Sequence, residues 1–326
     1  MIGSKNLDFL GGVFKTEYFL LTFNRLEVEM KFLFKKFVLP IGLIMLLGSL
    51  TAIAAPKNEK LDKARSYVCY YGSVGNAELE ALSKYDVVII DPGFFRSQAK
   101  PIIAKLKRKG CIVIGYQSFM EVAEFHRYKD RVKEDWLLKV DGKLWVPWGK
   151  NHALDLNNPM CRKLLVELTK SEALNYGCDG VFMDTLADID NATLPEDMRK
   201  KQLDGLDKLL KDLRATYPKC ILISNWTLQS SLPIVAKYVD IVCWEDFAEK
   251  YFDKPNSFCH QVSKRLADFQ KKYNFKVYAL WSAEKDVAEQ QRSAKFAESL
   301  GYLFSITGDY RTRFVFGEAK EKKEKK

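Results

Sequence analysis

Eight short apolar runs recur along this chain, and an amphipathic stretch of helical pattern lies between each successive pair. The runs are Tyr67–Tyr71, Val87–Ile90, Cys111–Tyr116, Gly180–Asp184, Cys220–Asn225, Asp240–Glu245, Lys276–Trp281 and Gly301–Ile306. Each is continuously apolar and bounded by turn residues, the pattern of a parallel strand buried on both faces. The stretches between them are Ala77–Lys84, Gln98–Lys109, Met160–Tyr176, Met198–Tyr217, Leu228–Tyr238, Phe258–Tyr273 and Ala283–Leu300. A helix between parallel neighbours implies right-handed crossovers. The expected fold is α/β: a (β/α)8 TIM barrel, a single domain after a signal peptide. A doubly wound sheet is the rival, but it usually has fewer strands, and the chain lacks GxGxxG.

Residues 30 to 55 read MKFLFKKFVLPIGLIMLLGSLTAIAA. Lysines follow Met30, an apolar run extends from Phe37 to Leu50, and Ala52-Ile53-Ala54 supplies a small-x-small cleavage pattern. These are the three parts of a secretory signal peptide, with cleavage expected after Ala54. The alternative is an uncleaved leader acting as a membrane anchor. The expected division is 1–29, an over-extended start or a leader; 30–54, the signal peptide; 55–66, a linker; 67–316, the barrel with its Trp-rich insertion; and 317–326, a charged tail. Removing the leader leaves about 270 residues, close to the ~250 typical of this barrel. The expected location is secreted or periplasmic.

The net charge is +10, from 52 basic and 42 acidic residues. No dense basic stripe interleaved with aromatics is present, so nucleic acid is not an expected partner. The seven cysteines contain no CxxC, and most sit in apolar runs as small buried hydrophobes. One segment breaks the rhythm: an insertion at 117–159 holds Trp136, Trp145 and Trp148, three of the six tryptophans. A segment this long after a barrel strand sits on the catalytic face.

Active sites of this fold are built from the C-terminal strand ends. Three carboxylates end apolar runs there: Asp91, Asp184 and Glu245. Alternation puts Asp184 on the face of Phe182, Glu245 on that of Cys243, and Asp91 on that of Ile89. If that face is the interior, Asp184 and Glu245 can approach to about 5–6 Å, the spacing of a retaining glycosidase pair. Each acid has a structural alternative as a turn or cap residue. Tyr71, Tyr116, Trp226, Trp281 and the insertion's tryptophans offer flat faces for a sugar, while Asp91, Gln117 and Asn225 offer polar partners. Asp188 and Asp246 are expected to join the strand-end acids in an acidic mouth that draws a cationic polymer. No HxH, HExxH, GxSxG or P-loop occurs, so no metal or cofactor is expected. The shorter Asp184 suits the nucleophile. The longer Glu245 suits the general acid/base, with Asp246 near enough in sequence to raise its pKa.

With these residues in view, the chain resembles glycoside hydrolase family 114. The matching pieces are the YYG opening, VVIIDPGFF, CIVIGYQSF, LDLNNP, YGCDGVFMDTLADID, ILISN and VDIVCWEDF, in order from Tyr67 to about Tyr310. The resemblance implies a TIM-barrel glycosidase of endo-α-1,4-polygalactosaminidase type, with Asp184 and Glu245 as the catalytic carboxylates. The expected function is an exported glycoside hydrolase acting on a polysaccharide or oligosaccharide by a two-carboxylate mechanism. The alternative is a catalytically inactive polysaccharide-binding barrel of the cell envelope.

Overall fold

All eight apolar runs form strands in the computed structural model, which describes residues 58–149, 151–281 and 286–307. The leader, the first part of the linker and the charged tail lie outside the described residues. The strands are β1 (Tyr67–Tyr70), β2 (Val87–Ile90), β3 (Ile112–Ser118), β4 (Gly180–Asp184), β5 (Ile221–Asn225), β6 (Ile241–Glu245), β7 (Lys276–Trp281) and β8 (Leu303–Ile306). Each pairs in parallel with the next, and β8 stands beside β1, so the sheet is a nearly closed barrel.

Strand alternation divides the core into two layers. Inward positions such as Cys69, Ile89, Ile114, Phe182, Ile223, Cys243 and Tyr278 fill the barrel. The positions between them, such as Val88, Val113, Val181, Leu222, Val242 and Val277, pack outward under the helices. Both sets are apolar, which is why the runs read as unbroken in the sequence. Leu61 and Ala64 belong to the inner layer, beside the turn of helix Glu59–Asp62 that the Asn58 side chain caps.

The outer helices are α1 (Asn76–Leu82), α2 (Ala99–Arg108), α3 (Pro159–Leu168), α4 (Glu196–Thr216), α5 (Leu232–Val235), α6 (Phe258–Lys272) and α7 (Val287–Ser299). Two differ from the sequence pattern. The stretch Leu228–Tyr238 yields only the one-turn α5. Ser230 and Ser231 ahead of it are tied to Asp190, the Ser231 hydroxyl at 2.7 Å, and Pro233 restricts the start. Helix α3 widens into a π turn at Thr169–Ala173, where Ala173 packs on Gly115 so closely that a Cβ there would meet it at 2.7 Å.

The insertion after β3 is pinned to the end of β4 by one hydroxyl. Thr185 Oγ1 accepts the backbone N–H of Phe119, Met120 and Glu121 at 2.8–3.2 Å, and donates to the Asp184 carbonyl at 2.7 Å. Short strands Glu121–Val122 and His152–Ala153 then pair antiparallel. A second hairpin, Lys139–Val140 with Lys143–Leu144, turns at Asp141-Gly142, both with positive φ. The LDLNNP segment closes the insertion. Gln202 bridges Asp155 and the Leu156 N–H, Asn158 caps α3, and Pro159 occupies its first turn.

The insertion's tryptophans do not face a cleft, contrary to expectation. Trp145 is buried with Leu138, Ala153 and Leu194 in a small core that the insertion and the start of α4 share, and Trp136 is buried in the outer layer. A long excursion needs apolar mass to hold its own shape, and these side chains supply it. Trp148 is exposed, with its indole N–H donating to Asp188 Oδ1 at 2.6 Å.

Asp188 is buried next to Glu121, whose carboxylate takes a hydrogen bond from Asn151 at 2.7 Å. Burial, then the neighbouring Glu121, push the Asp188 carboxyl up to about 8, against the Trp148 hydrogen bond that lowers it. In the unfolded chain the same carboxyl ionises near pH 4. The folded state therefore holds the extra proton between these values, and stability falls as pH climbs from about 4 toward 8. Asp188→Asn removes this dependence. Thermal melts at pH 5 and pH 8.5 should show the variant gaining on the wild type at the higher pH. A gap of constant size would refute the protonated state.

Candidate active site

At the C-terminal mouth of the barrel lies a cavity of about 520 Å³. It is lined by Tyr71, Asp91, Phe94, Tyr116, Phe125, Phe182, Asp184, Asn225, Glu245 and Leu280. The inward strand-end positions thus meet in one space, as alternation requires. Six of the nine strand-end residues marked in the sequence for catalysis or sugar binding line it: Asp184, Glu245, Tyr71, Asp91, Tyr116 and Asn225. Gln117, Trp226 and Trp281 do not. Trp281 shares the outward face of Val277 and Ala279 and is buried, with the Lys250 ammonium 5.4 Å from its ring centre. Trp226 leaves β5 in a left-handed conformation and packs edge-on to Phe258. Leu280, one position before Trp281, is the residue of β7 that reaches the cavity.

Asn225 joins the two carboxylates. Its amide nitrogen donates to Asp184 Oδ1 at 3.0 Å and to Glu245 Oε2 at 2.8 Å. Only the NH₂ end of the amide can satisfy two carboxylate oxygens, so these bonds fix its orientation. The two bonded oxygens share one nitrogen and therefore stand less than about 6 Å apart, short of the ~6.5–9.5 Å spacing of inverting pairs. The amide's own oxygen is buried without a hydrogen-bond partner. Tyr116 donates its hydroxyl to Asp184 Oδ2 at 2.8 Å. Burial, then the Asp184 charge, raise the Tyr116 phenol far above its ordinary value, so it remains a donor. Both oxygens of Asp184 are thereby held.

The register explains the placement. Met183 of β4 is level with Ser224 of β5, which sets Asp184 beside Asn225. Asn225 is level with Cys243, and Glu245 rises two residues higher on the same inward face. Cys69 and Cys243 lie below. Their thiols are raised well above the usual range by burial first, and Glu245 and Asp184 push the same way. They form a neutral floor. All seven cysteines are free thiols, and six are buried.

Asp91 has a double position. Its Oδ1 accepts the Gly93 N–H at 2.8 Å, closing the turn after β2, while the side chain also lines the cavity. Burial raises its pKa, against the backbone N–H groups of Gly93 and Phe94. No Lys or Arg is among the lining residues, so the mouth is acidic although the protein is basic. The source of that acidity is narrower than expected. Asp188 is buried behind the site against Trp148, and Asp246 is exposed with positive φ and does not line the cavity.

Three contributors went unmarked in the sequence. Phe94 lies in the one-turn helix Pro92–Phe95 and Phe125 in a loop, segments too short or irregular for an aromatic residue to carry a periodic signal. Thr185 anchors the insertion and adopts φ 65°, as Trp226 and Asp246 adopt φ 55° and 57°. Each follows one of the strand ends Asp184, Asn225 and Glu245. Left-handed backbone in a non-glycine residue costs about 1–2 kcal/mol. The shared feature ends each of three neighbouring strands abruptly, directly after its polar side chain. Among the described residues, no group of three or more His, Cys, Asp and Glu side chains is placed to hold a metal ion.

The chain was compared with known proteins. The family model of glycoside hydrolase family GH114 matches residues 51–302. No curated protein sequence matches. Among solved structures, the glycoside hydrolase domain of PelA from Pseudomonas aeruginosa aligns with 18% identity and a TM-score of 0.59, over 76% of this chain and 96% of that one. Ega3 from Aspergillus fumigatus, solved in complex with galactosamine, aligns with 16% identity and a TM-score of 0.51, over 75% and 90%. TtGalA, an alpha-galactosidase from Thermus thermophilus, aligns with 16% identity and a TM-score of 0.54, over 79% and 64%. These likenesses agree on the barrel. The family model spans most of the chain and every barrel strand up to the approach to β8, so the chain belongs to glycoside hydrolase family GH114.

Proposed function

We propose that this glycosidase cleaves an α-1,4-linked galactosamine-type polymer by a retaining, two-carboxylate mechanism, with Asp184 as nucleophile and Glu245 as general acid/base. The observation that carries the reading is the single Asn225 nitrogen shared by both carboxylates, which keeps their bonded oxygens less than about 6 Å apart, a closeness that supports a retaining pair. Tyr116 and Asn225 fix both oxygens of Asp184, so an attacking oxygen stays directed at the anomeric carbon. Glu245 has one more methylene and stands higher in the mouth, in reach of the glycosidic oxygen. In the first step a bond forms between Asp184 and the anomeric carbon as the glycosidic bond breaks, and Glu245 gives its proton to the leaving oxygen. In the second, Glu245 takes a proton from water, which displaces Asp184. The acidic lining favours a cationic amino sugar. Ega3, a structural neighbour, was solved with galactosamine bound.

Asp184→Asn and Glu245→Gln should each keep the wild-type fold by circular dichroism and lower turnover at least ~10³-fold. Azide should restore part of the activity of Asp184→Ala, yielding a glycosyl azide of inverted configuration. Near wild-type turnover in both variants would remove the assignment. Binding of the polymer without cleavage by the wild type would favour an inactive sugar-binding barrel instead.

The sequence of 30–54 supports export of the enzyme. N-terminal sequencing of the exported form should read from near Ala55. Recovery of the intact leader in membranes would show an anchored protein.

A further inference from the structure

Behind the catalytic carboxylates, two further carboxyl groups meet out of water: Asp188 is 1% exposed and Glu121 9%. Asp188 stands on the turn that follows β4, and Glu121 opens the hairpin at the start of the insertion. Asp188 Oδ1 accepts the Trp148 indole N–H at 2.6 Å, and Glu121 Oε2 accepts the Asn151 amide at 2.7 Å. Asp188 Oδ2 is buried with no donor, and the side chain that faces it is Glu121. Two ionised carboxylates have no hydrogen to share, so this contact closes only when one of them is protonated. Burial, then the Glu121 charge, keep the proton on Asp188 up to about 8.

The other charged groups around the pair do not replace this proton. Asp184, at the end of β4, adds a like charge. Asp190, on the same turn as Asp188, is taken by Ser230 and Ser231. Arg199 of α4 gives its guanidinium to the Ile189, Asn191 and Leu194 carbonyls and to Glu196. His152 pairs with Val122 and so lies on the opposite face of its hairpin from Glu121. The two arms that carry the pair meet at the end of β4. There the Asp184 carbonyl accepts the Phe119 N–H at 3.0 Å, and Thr185 Oγ1 accepts the Glu121 N–H at 3.2 Å. The Asp188 N–H returns to the Thr185 carbonyl at 3.0 Å. Loss of the proton leaves two adjacent buried charges, and their repulsion pushes the arms apart at the backbone that carries Asp184.

We propose that Glu121 and Asp188 are positioning residues for Asp184: one proton, donated by Asp188 to Glu121, holds the start of the insertion against the end of β4 and so keeps the Asp184 carboxylate aimed. Neither residue lines the catalytic cavity, and both act through Thr185 and the Asp184 backbone. The effect on catalysis rests on the reading of Asp184 as nucleophile, whereas the proton link does not.

NMR of the whole protein, labelled with carbon-13 and nitrogen-15, reads the link without any substrate. The Asp188 carboxyl should titrate in one step near pH 8, and the amide shifts of Phe119, Met120 and Glu121 should move in that same step. In Asp188→Asn the side-chain amide donates to Glu121 at every pH, and in Glu121→Gln the side-chain amide donates to Asp188. In both variants the three amide shifts should therefore stay still near pH 8. An Asp188 carboxyl that titrates near the ordinary ~4, or amide shifts that ignore its step, overturns the proposal. Kinetics read the positioning. Glu245 shapes the pH profile of every form, so the ratio of variant to wild-type kcat is the quantity compared. That ratio should rise about tenfold between pH 6 and pH 9, with the ratio of KM values steady and every form folded by circular dichroism. A flat kcat ratio overturns the positioning role. Either variant alone suffices, and the wild-type titration tests the link even where neither folds. If the wild type cleaves nothing, the nucleophile reading fails separately, and the NMR step decides.

Discussion

A strand in a parallel barrel offers the interior only every second side chain, and its register against its neighbours sets how high that side chain stands. Everything at this site follows from that constraint. Asp184 and Asn225 end β4 and β5 at one level, and Glu245 ends β6 two residues above the partner of Asn225. Slipping any of the three strands by one residue would turn its polar end outward into the packed helix layer. The apolar residues directly below, Phe182, Ile223 and Cys243, make such a slip expensive, since they would leave the core with it. The packing that stabilises the barrel is thus the same packing that aims the carboxylates.

Two carboxylates close together repel, and their separation must still be kept short for a retaining reaction. The Asn225 amide resolves this by placing one NH₂ group between them, without adding a net charge. A lysine there would pair with both acids and neutralise the mouth. An amide leaves the field of the mouth acidic. The left-handed residues after each strand end, Thr185, Trp226 and Asp246, stop each strand at its polar side chain, and Thr185 also ties down the insertion. Backbone strain at the mouth is matched by strong local hydrogen bonding.

Much of this was legible in the sequence for a physical reason: strands buried on both faces produce unbroken apolar runs, so the eight strands and their inward ends could be read directly. The parity that selected Asp91, Asp184 and Glu245 also held the information that Trp281 faces outward and Leu280 inward. An aromatic at a strand end is a weaker guide than its phase. The loops were less readable. Trp136 and Trp145 pack in cores rather than line a cleft, and Phe125 reaches the cavity from a segment with no period to mark it. The shortening of the fifth helix came from side-chain contacts with Asp190, which no local pattern reveals. The role of Thr185 lay within the family motif, but only tertiary contact shows its hydroxyl gathering three backbone N–H groups.

The central claim is that Asn225 sets a carboxylate separation suited to a double displacement, and stereochemistry reads that separation directly. Proton NMR of a digest of α-1,4-linked galactosamine oligomers, followed from the first minutes, reports the configuration of each new reducing end before mutarotation. The arrangement of Asp184, Asn225 and Glu245 predicts that the α-anomer appears first and the β-anomer only later. Initial release of the β-anomer would mean a single displacement by water, and would contradict the account.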